Sequence, residues 1–228
     1  MPTTKRKHHD VDDVVAKLKR LANKQTRDGM ARYGLPSDNA FGVPFGLMRT
    51  LAKDLGRSHK LALALWDQKW YEARVLASLV DEPALVTPSQ MDRWCRDFDN
   101  WGICDTVCFH LFDRTPHAFT KVKLWSRRRA EFERRAAFAL LASLALHDKT
   151  TGDGDFIALL PVIERAATDD RNFVKKGVSW ALRSIGRRRS KTVFTESMKL
   201  AQRLIKSDDA TARWVGRDVV RDLARVKK

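Results

Sequence analysis

Asn172-Phe-Val-Lys-Lys-Gly-Val-Ser-Trp-Ala-Leu-Arg-Ser-Ile-Gly186 is a stretch whose two faces differ in character. At about 100° per residue, Val174, Val178, Ala181, Leu182 and Ile185 fall in one narrow stripe, which predicts a helix with that stripe in a core. Trp180 is off the stripe. It projects roughly 145° from the stripe's centre, beside Lys176, Arg183 and Arg187, so an indole stands among cations. Between Arg171 and Lys191 there are eight Lys or Arg and no acid. A large ring on a cationic, outward face suits a polyanion that carries rings and sugars, which is a nucleic acid. The alternative is that Trp180 packs on a neighbouring helix, the commoner use of a tryptophan.

Helical spacing continues on both sides of this stretch. The chain predicts helices over residues 10–25, 48–55, 60–66, 70–79, 89–98, 100–112, 117–125, 130–146, 155–167, 191–205 and 209–226, with a short turn over 28–33. No segment alternates with period two between hairpin turns, so no strand is expected. Short helices in antiparallel pairs, recurring about every 35 to 45 residues, are the pattern of an all-α solenoid of HEAT-like repeats; a plain helical bundle is the alternative. The expected organisation is a flexible basic arm over residues 1–9 and one HEAT-like domain over 10–228 that presents a concave basic face.

Charge is distributed unevenly. Residues 1–120 hold 18 Lys+Arg against 15 Asp+Glu, whereas residues 121–228 hold 26 against 13, so most of the net +16 belongs to the second half. Such an excess argues for a polyanionic partner and says nothing of fold. Cys95, Cys104 and Cys108 read as core thiols, since no second ligand pair completes a zinc site. No apolar run reaches membrane-spanning length and the first residues lack an apolar signal core, so a cytoplasmic or nucleoid-associated monomer is expected. Residues 150–155 lack the remaining elements of a phosphate or calcium loop, and no hydrolase, zinc-protease or dinucleotide motif occurs; no metal or cofactor is expected.

Three further side chains carry possible chemistry. Trp101 and Asp105 are four apart on one predicted helix face, where a carboxylate and an electron-rich ring can both serve a cationic ligand. Asp105 can equally be a helix-surface acid satisfied by a nearby arginine. The helix over 130–146 is apolar nearly all round, but arginines crowd its start, and Arg135 shares a face with Ala139 and Ala142. Its guanidinium is then held at the edge of a buried helix, where capping or an ion pair with a local acid is the alternative.

The stretches Met30-Ala-Arg-Tyr-Gly34, Phe41-Gly-Val-Pro-Phe-Gly46, Trp70-Tyr-Glu-Ala-Arg-Val-Leu-Ala77, Asn100-Trp-Gly-Ile-Cys-Asp105 and Lys175-Lys-Gly-Val-Ser-Trp-Ala-Leu-Arg183 resemble, in order, the DNA alkylation repair enzyme family, the AlkD-like HEAT-repeat DNA glycosylases. The resemblance implies a solenoid that grips double-stranded DNA and excises positively charged N3- or N7-alkylated purines. It also implies that Trp101 and Trp180 cradle the lesion's backbone, that Asp105 is the catalytic carboxylate, and that Arg135 is the arginine of the same site, holding a phosphate and fixing Asp105. Gly102 departs from the family pattern, in which an acidic residue often follows the tryptophan. Lys121, Lys123, Arg127, Arg128, Arg134, Lys175, Lys176, Arg183, Arg187 and Arg188 are the expected duplex contacts. Two other readings stand beside this one: a noncatalytic binder of damaged or branched DNA on the same scaffold, and a protein-interaction scaffold.

Overall fold

The computed structural model describes residues 9–225. The arm expected over 1–9 lies, apart from His9, outside the described residues, as does Val226 at the end of the last predicted helix. The chain divides into two compact units, Met1–Thr87 and Pro88–Lys228. Among the described residues every regular element is helical.

The first unit contains α1 (Val11–Arg20), α2 (Lys24–Met30), α3 (Phe45–Leu55), α4 (His59–Asp67) and α5 (Tyr71–Val80). The single helix expected over 10–25 is broken. Asn23 caps α2 by accepting from the Thr26 N–H at 2.8 Å, and its own N–H donates to the Phe41 carbonyl, so the chain turns where apolar periodicity alone would let it continue. Two of the quoted motifs meet here. Glu72, buried at the start of α5, accepts from the backbone N–H groups of Phe41, Gly42 and Val43 at 2.9, 2.7 and 3.2 Å. Gly42 has φ +78°, and a β-carbon on it would lie 2.3 Å from the Asn23 carbonyl oxygen, so only glycine fits this crossing.

The second unit contains α6 (Pro88–Arg96), α7 (Trp101–His110), α8 (Ala118–Trp125), α9 (Glu131–His147), α10 (Asp153–Ile157), α11 (Leu160–Ala166), α12 (Asn172–Gly186), α13 (Lys191–Ile205) and α14 (Ala210–Leu223). The helix expected over 155–167 is two short pieces, because Pro161, in the first turn of α11, cannot supply an interior N–H. Helices α7, α9, α12 and α14 lie side by side and run the same way. Cys108 meets Ala136, Arg135 meets Phe173 and Ser179 meets Asp218, at sequence separations of 28, 38 and 39. The preceding helices form the other layer: the Trp125 indole N–H of α8 donates to Asp92 of α6, and Arg203 of α13 pairs with Glu164 of α11. Each hairpin thus adds one helix to each layer, which is the HEAT-like arrangement.

Helix α9 is the centre of this unit. From Arg135 to Ala145 every residue is buried, as its all-round apolar sequence requires. Helix α12 has the predicted bounds, and its stripe of Val174, Val178, Ala181, Leu182 and Ile185 is fully enclosed.

Candidate active site

Asn100 begins α7 by accepting from the Ile103 N–H at 2.9 Å, so the glycine at 102 does not prevent the helix from starting. Ile103, Cys104, Val107 and Cys108 then face inward. The Cys104 thiol donates to the Phe132 carbonyl and the Cys108 thiol to the Ala136 carbonyl, at 3.7 and 3.6 Å, which fixes the register of α7 on α9. Burial pushes the Cys95 and Cys108 thiols far above their ordinary range, so they stay protonated and act as core, as the sequence suggests.

That register sets Asp105 opposite Arg135. The Arg135 Nε donates to Asp105 Oδ1 at 2.8 Å and Nη2 to Oδ2 at 2.6 Å, a two-pronged pair. The third nitrogen, Nη1, donates to the Phe173 carbonyl at the start of α12, at 2.7 Å. At Gly177 α12 backs onto this pair: a β-carbon there would meet Phe138 at 3.4 Å and Arg135 at 3.6 Å, ordinary contact distances. One guanidinium therefore ties three parallel helices together. Its side chain is 8% exposed, while that of Asp105 keeps 20% of its surface open. Burial pushes the Asp105 carboxyl upward and the Arg135 charge opposes it, leaving the group above the ordinary carboxylate value.

All three guanidinium nitrogens of Arg135 donate inside the protein, two of them to Asp105, so the side chain is built to hold that carboxylate. The two indoles are neither enclosed nor fully open. Trp101 lies one helical turn before Asp105, and Trp180 lies one turn past Gly177, the residue that backs onto Arg135; both are half-buried.

The expected duplex contacts separate into four groups. Lys123, Arg127 and Lys176 are exposed and make no ion pair among the described residues; Arg128 is exposed, with Glu133 at 3.8 Å. Arg134, Arg183 and Arg187 are partly neutralised, by Asp169 at 2.7 Å, by Asp218 and Asp222 at 3.6 and 3.5 Å, and by Asp222 at 2.6 Å respectively. Lys175 stands over the Trp214 ring, 5.5 Å from its centre. Lys121 and Arg188 are corrections. Lys121 is 3% exposed and bonded to Asp92 at 2.7 Å. Arg188 is turned inward over the Phe156 ring and donates to the carbonyls of Ala145, Asp148 and Thr151. Both cations hold the helices together.

Sequence reasoning missed Phe173, whose carbonyl completes the Arg135 site and whose ring lies 6.0 Å from the guanidinium. Its one signal was an apolar side chain off the buried stripe of α12. It also missed the acids of α14 that answer the arginines of α12, since nothing local pairs residues 35 to 39 apart.

A family model described as DNA alkylation repair enzyme matches residues 14–223. The chain belongs to this DNA alkylation repair enzyme family. No curated protein matches it by sequence. A solved structure, described as from "a new family of proteins related to the HEAT-like repeat DNA glycosylases with affinity for branched DNA structures", shares the fold with a TM-score of 0.78. It is 17% identical, over 96% of this chain and 98% of that one, so the likeness establishes a HEAT-like helical fold for this DNA alkylation repair family member. Among the described residues, no cluster of His, Cys, Asp or Glu could hold a metal ion, and no helix is long and apolar enough to cross a membrane.

Proposed function

We propose that this protein is a cytoplasmic, monomeric DNA glycosylase that hydrolyses the N-glycosidic bond of N3- or N7-alkylated purines in duplex DNA. Residues 10–228 would act as one HEAT-like domain that holds the duplex on a basic concave face. The observation that carries the reading is the Asp105–Arg135 pair: a carboxylate fixed by two hydrogen bonds, still open to solvent, one turn from an indole.

Alkylation makes the purine cationic, so the C1′–N bond breaks with the electron pair leaving on the base. Charge then grows on the deoxyribose. Asp105 opposes that charge and orients or deprotonates the water whose oxygen bonds to C1′, and the faces of Trp101 and Trp180 stabilise the same cation. No acid is needed for the leaving group, because it departs neutral. The transition state resembles that of glycoside hydrolysis, with one carboxylate where two are usual. Arg135 serves as a positioning residue: it is pre-formed, buried and does not move as charge develops. Lys123, Arg127, Arg128 and Lys176 supply affinity for the duplex that does not depend on its sequence.

The test is release of free 7-methylguanine or 3-methyladenine from methylated duplex DNA by the purified protein. Asp105→Asn should abolish release and leave duplex binding within about twofold, because the amide keeps the shape and loses the charge. Full activity in that variant would remove Asp105 from the mechanism. A second reading, binding of branched DNA without base excision, is favoured by the described affinity of the protein that shares this fold. It predicts binding with no base release by the unaltered protein.

A further inference from the structure

Of the seven tryptophans, only Trp214 among the described residues is exposed, with 36% of its surface open. It lies on the outward side of α14, opposite the buried row of Val215, Val219 and Leu223. Arg217, three residues on, is exposed and makes no ion pair among the described residues. Across the seam with α12, the Lys175 ammonium stands over the indole ring, 5.5 Å from its centre, and Lys176 beside it is exposed. The rest of this seam is differently built. Ser179 bonds Asp218, Arg183 pairs with Asp218 and Asp222, and Arg187 pairs with Asp222, so these three positions of α12 are closed by acids of α14. At Lys175 the seam ends instead in a partly exposed ring and in cations that make no ion pair among the described residues.

The occupant follows from what each form of DNA exposes. A continuous duplex offers phosphates and groove edges, and its bases cover one another's faces. An exposed ring can stack only on a base that has lost its neighbour or partner, and adjacent cations then hold that base's phosphates. We propose that Trp214, flanked by Lys175 and Arg217, is a stacking platform for an unpaired nucleotide, giving the protein a contact for the single-stranded arm of branched or frayed DNA. This rests on DNA being the partner, and not on base excision.

The test compares the full chain's affinity, by fluorescence anisotropy, for a short duplex and for the same duplex carrying a single-stranded thymine arm. The unaltered protein should bind the armed DNA more tightly. Trp214→Ala should lower that affinity about tenfold and change duplex affinity by less than about twofold, since stacking is lost and phosphate contacts remain. Trp214→Phe should keep most of the preference, because a ring is retained. Equal losses on both DNAs, no loss on the armed DNA, or no preference in the unaltered protein would each overturn the proposal. Base release is scored separately: its absence defeats the glycosylase proposal, while the difference between armed and plain duplex decides this one.

Discussion

Arg135 is buried and works inside the protein. Both prongs of its fork close on Asp105, and its remaining nitrogen reaches the Phe173 carbonyl. A lysine can place charge there but cannot make two parallel hydrogen bonds. Arg135→Lys should therefore lower base release about tenfold or more, the effect of one charge-assisted hydrogen bond, with duplex affinity nearly unchanged. The pH profile isolates this from a loss of fold. Base release requires the ionised carboxylate, burial raises its pKa, and the Arg135 charge restrains that rise. Activity should then fall on acidification at a pH above the ordinary aspartate value of 3.8, and weakening the restraint should move that limb higher still. An acid limb that does not move in Arg135→Lys would separate the pair from catalysis. Trp180 illustrates how much one residue's reading can reach: its departure from the apolar stripe of its helix was legible, because a helix fixes angles between neighbours. That Phe173 completes the site was not, since its backbone oxygen has no signature in the side-chain pattern.

At the scale of the helix, two glycines with the same local propensity meet different surroundings. On Gly216 of α14 a β-carbon would fall 2.6 Å from the Ala201 carbonyl oxygen and 2.8 Å from the Ile205 nitrogen, which are backbone atoms of α13 and cannot yield cheaply. On Gly177 of α12 the nearest atom would be 3.4 Å away, an ordinary contact. In an isolated helix each change to alanine would gain up to about 1 kcal/mol. Gly216→Ala should instead destabilise the protein by about 1–3 kcal/mol through overpacking, and Gly177→Ala should be neutral or mildly stabilising. Thermal or urea melts of the two variants check this; equal shifts would mean that the α13–α14 crossing is looser than its geometry. Most helix positions followed from periodicity, and the misread ones have local causes. Asn23 and Pro161 stop helices by capping and by a missing N–H, while the apolar spacing runs through both.

At the scale of the molecule, net charge overstates the surface available to DNA. Lys121 and Lys123 are near neighbours in sequence and were alike as expected contacts, yet one is buried on Asp92 and the other is exposed. Each phosphate contact adds about 0.9 to the slope of log affinity against log salt. Lys123→Ala should lower that slope by about one with no loss of stability. Lys121→Ala should leave the slope unchanged and cost about 1–3 kcal/mol, because Asp92 keeps the Trp125 indole but loses its charged partner. Affinity titrations at several salt concentrations, together with melts, distinguish the two. A slope that falls in Lys121→Ala would return that residue to the interface.

The sequence by itself determined most of the helices and their buried stripes, the excess of cations in the second half, and the candidacy of Trp180 and Asp105, with Trp101 and Arg135 joined to them by family resemblance. Helical periodicity and composition are local properties, and the stripes, the charge excess and the first two candidates followed from them. Only the tertiary structure decided which cations face solvent and which are spent on acids from other helices. It alone showed that the Phe173 carbonyl takes the third nitrogen of Arg135, beside the two that hold Asp105. Those outcomes depend on partners 28 to 43 residues away, brought near by the stacking of whole helices. A charge is the same in sequence whether its partner is water, a carboxylate or DNA; where the helix carries it makes the difference.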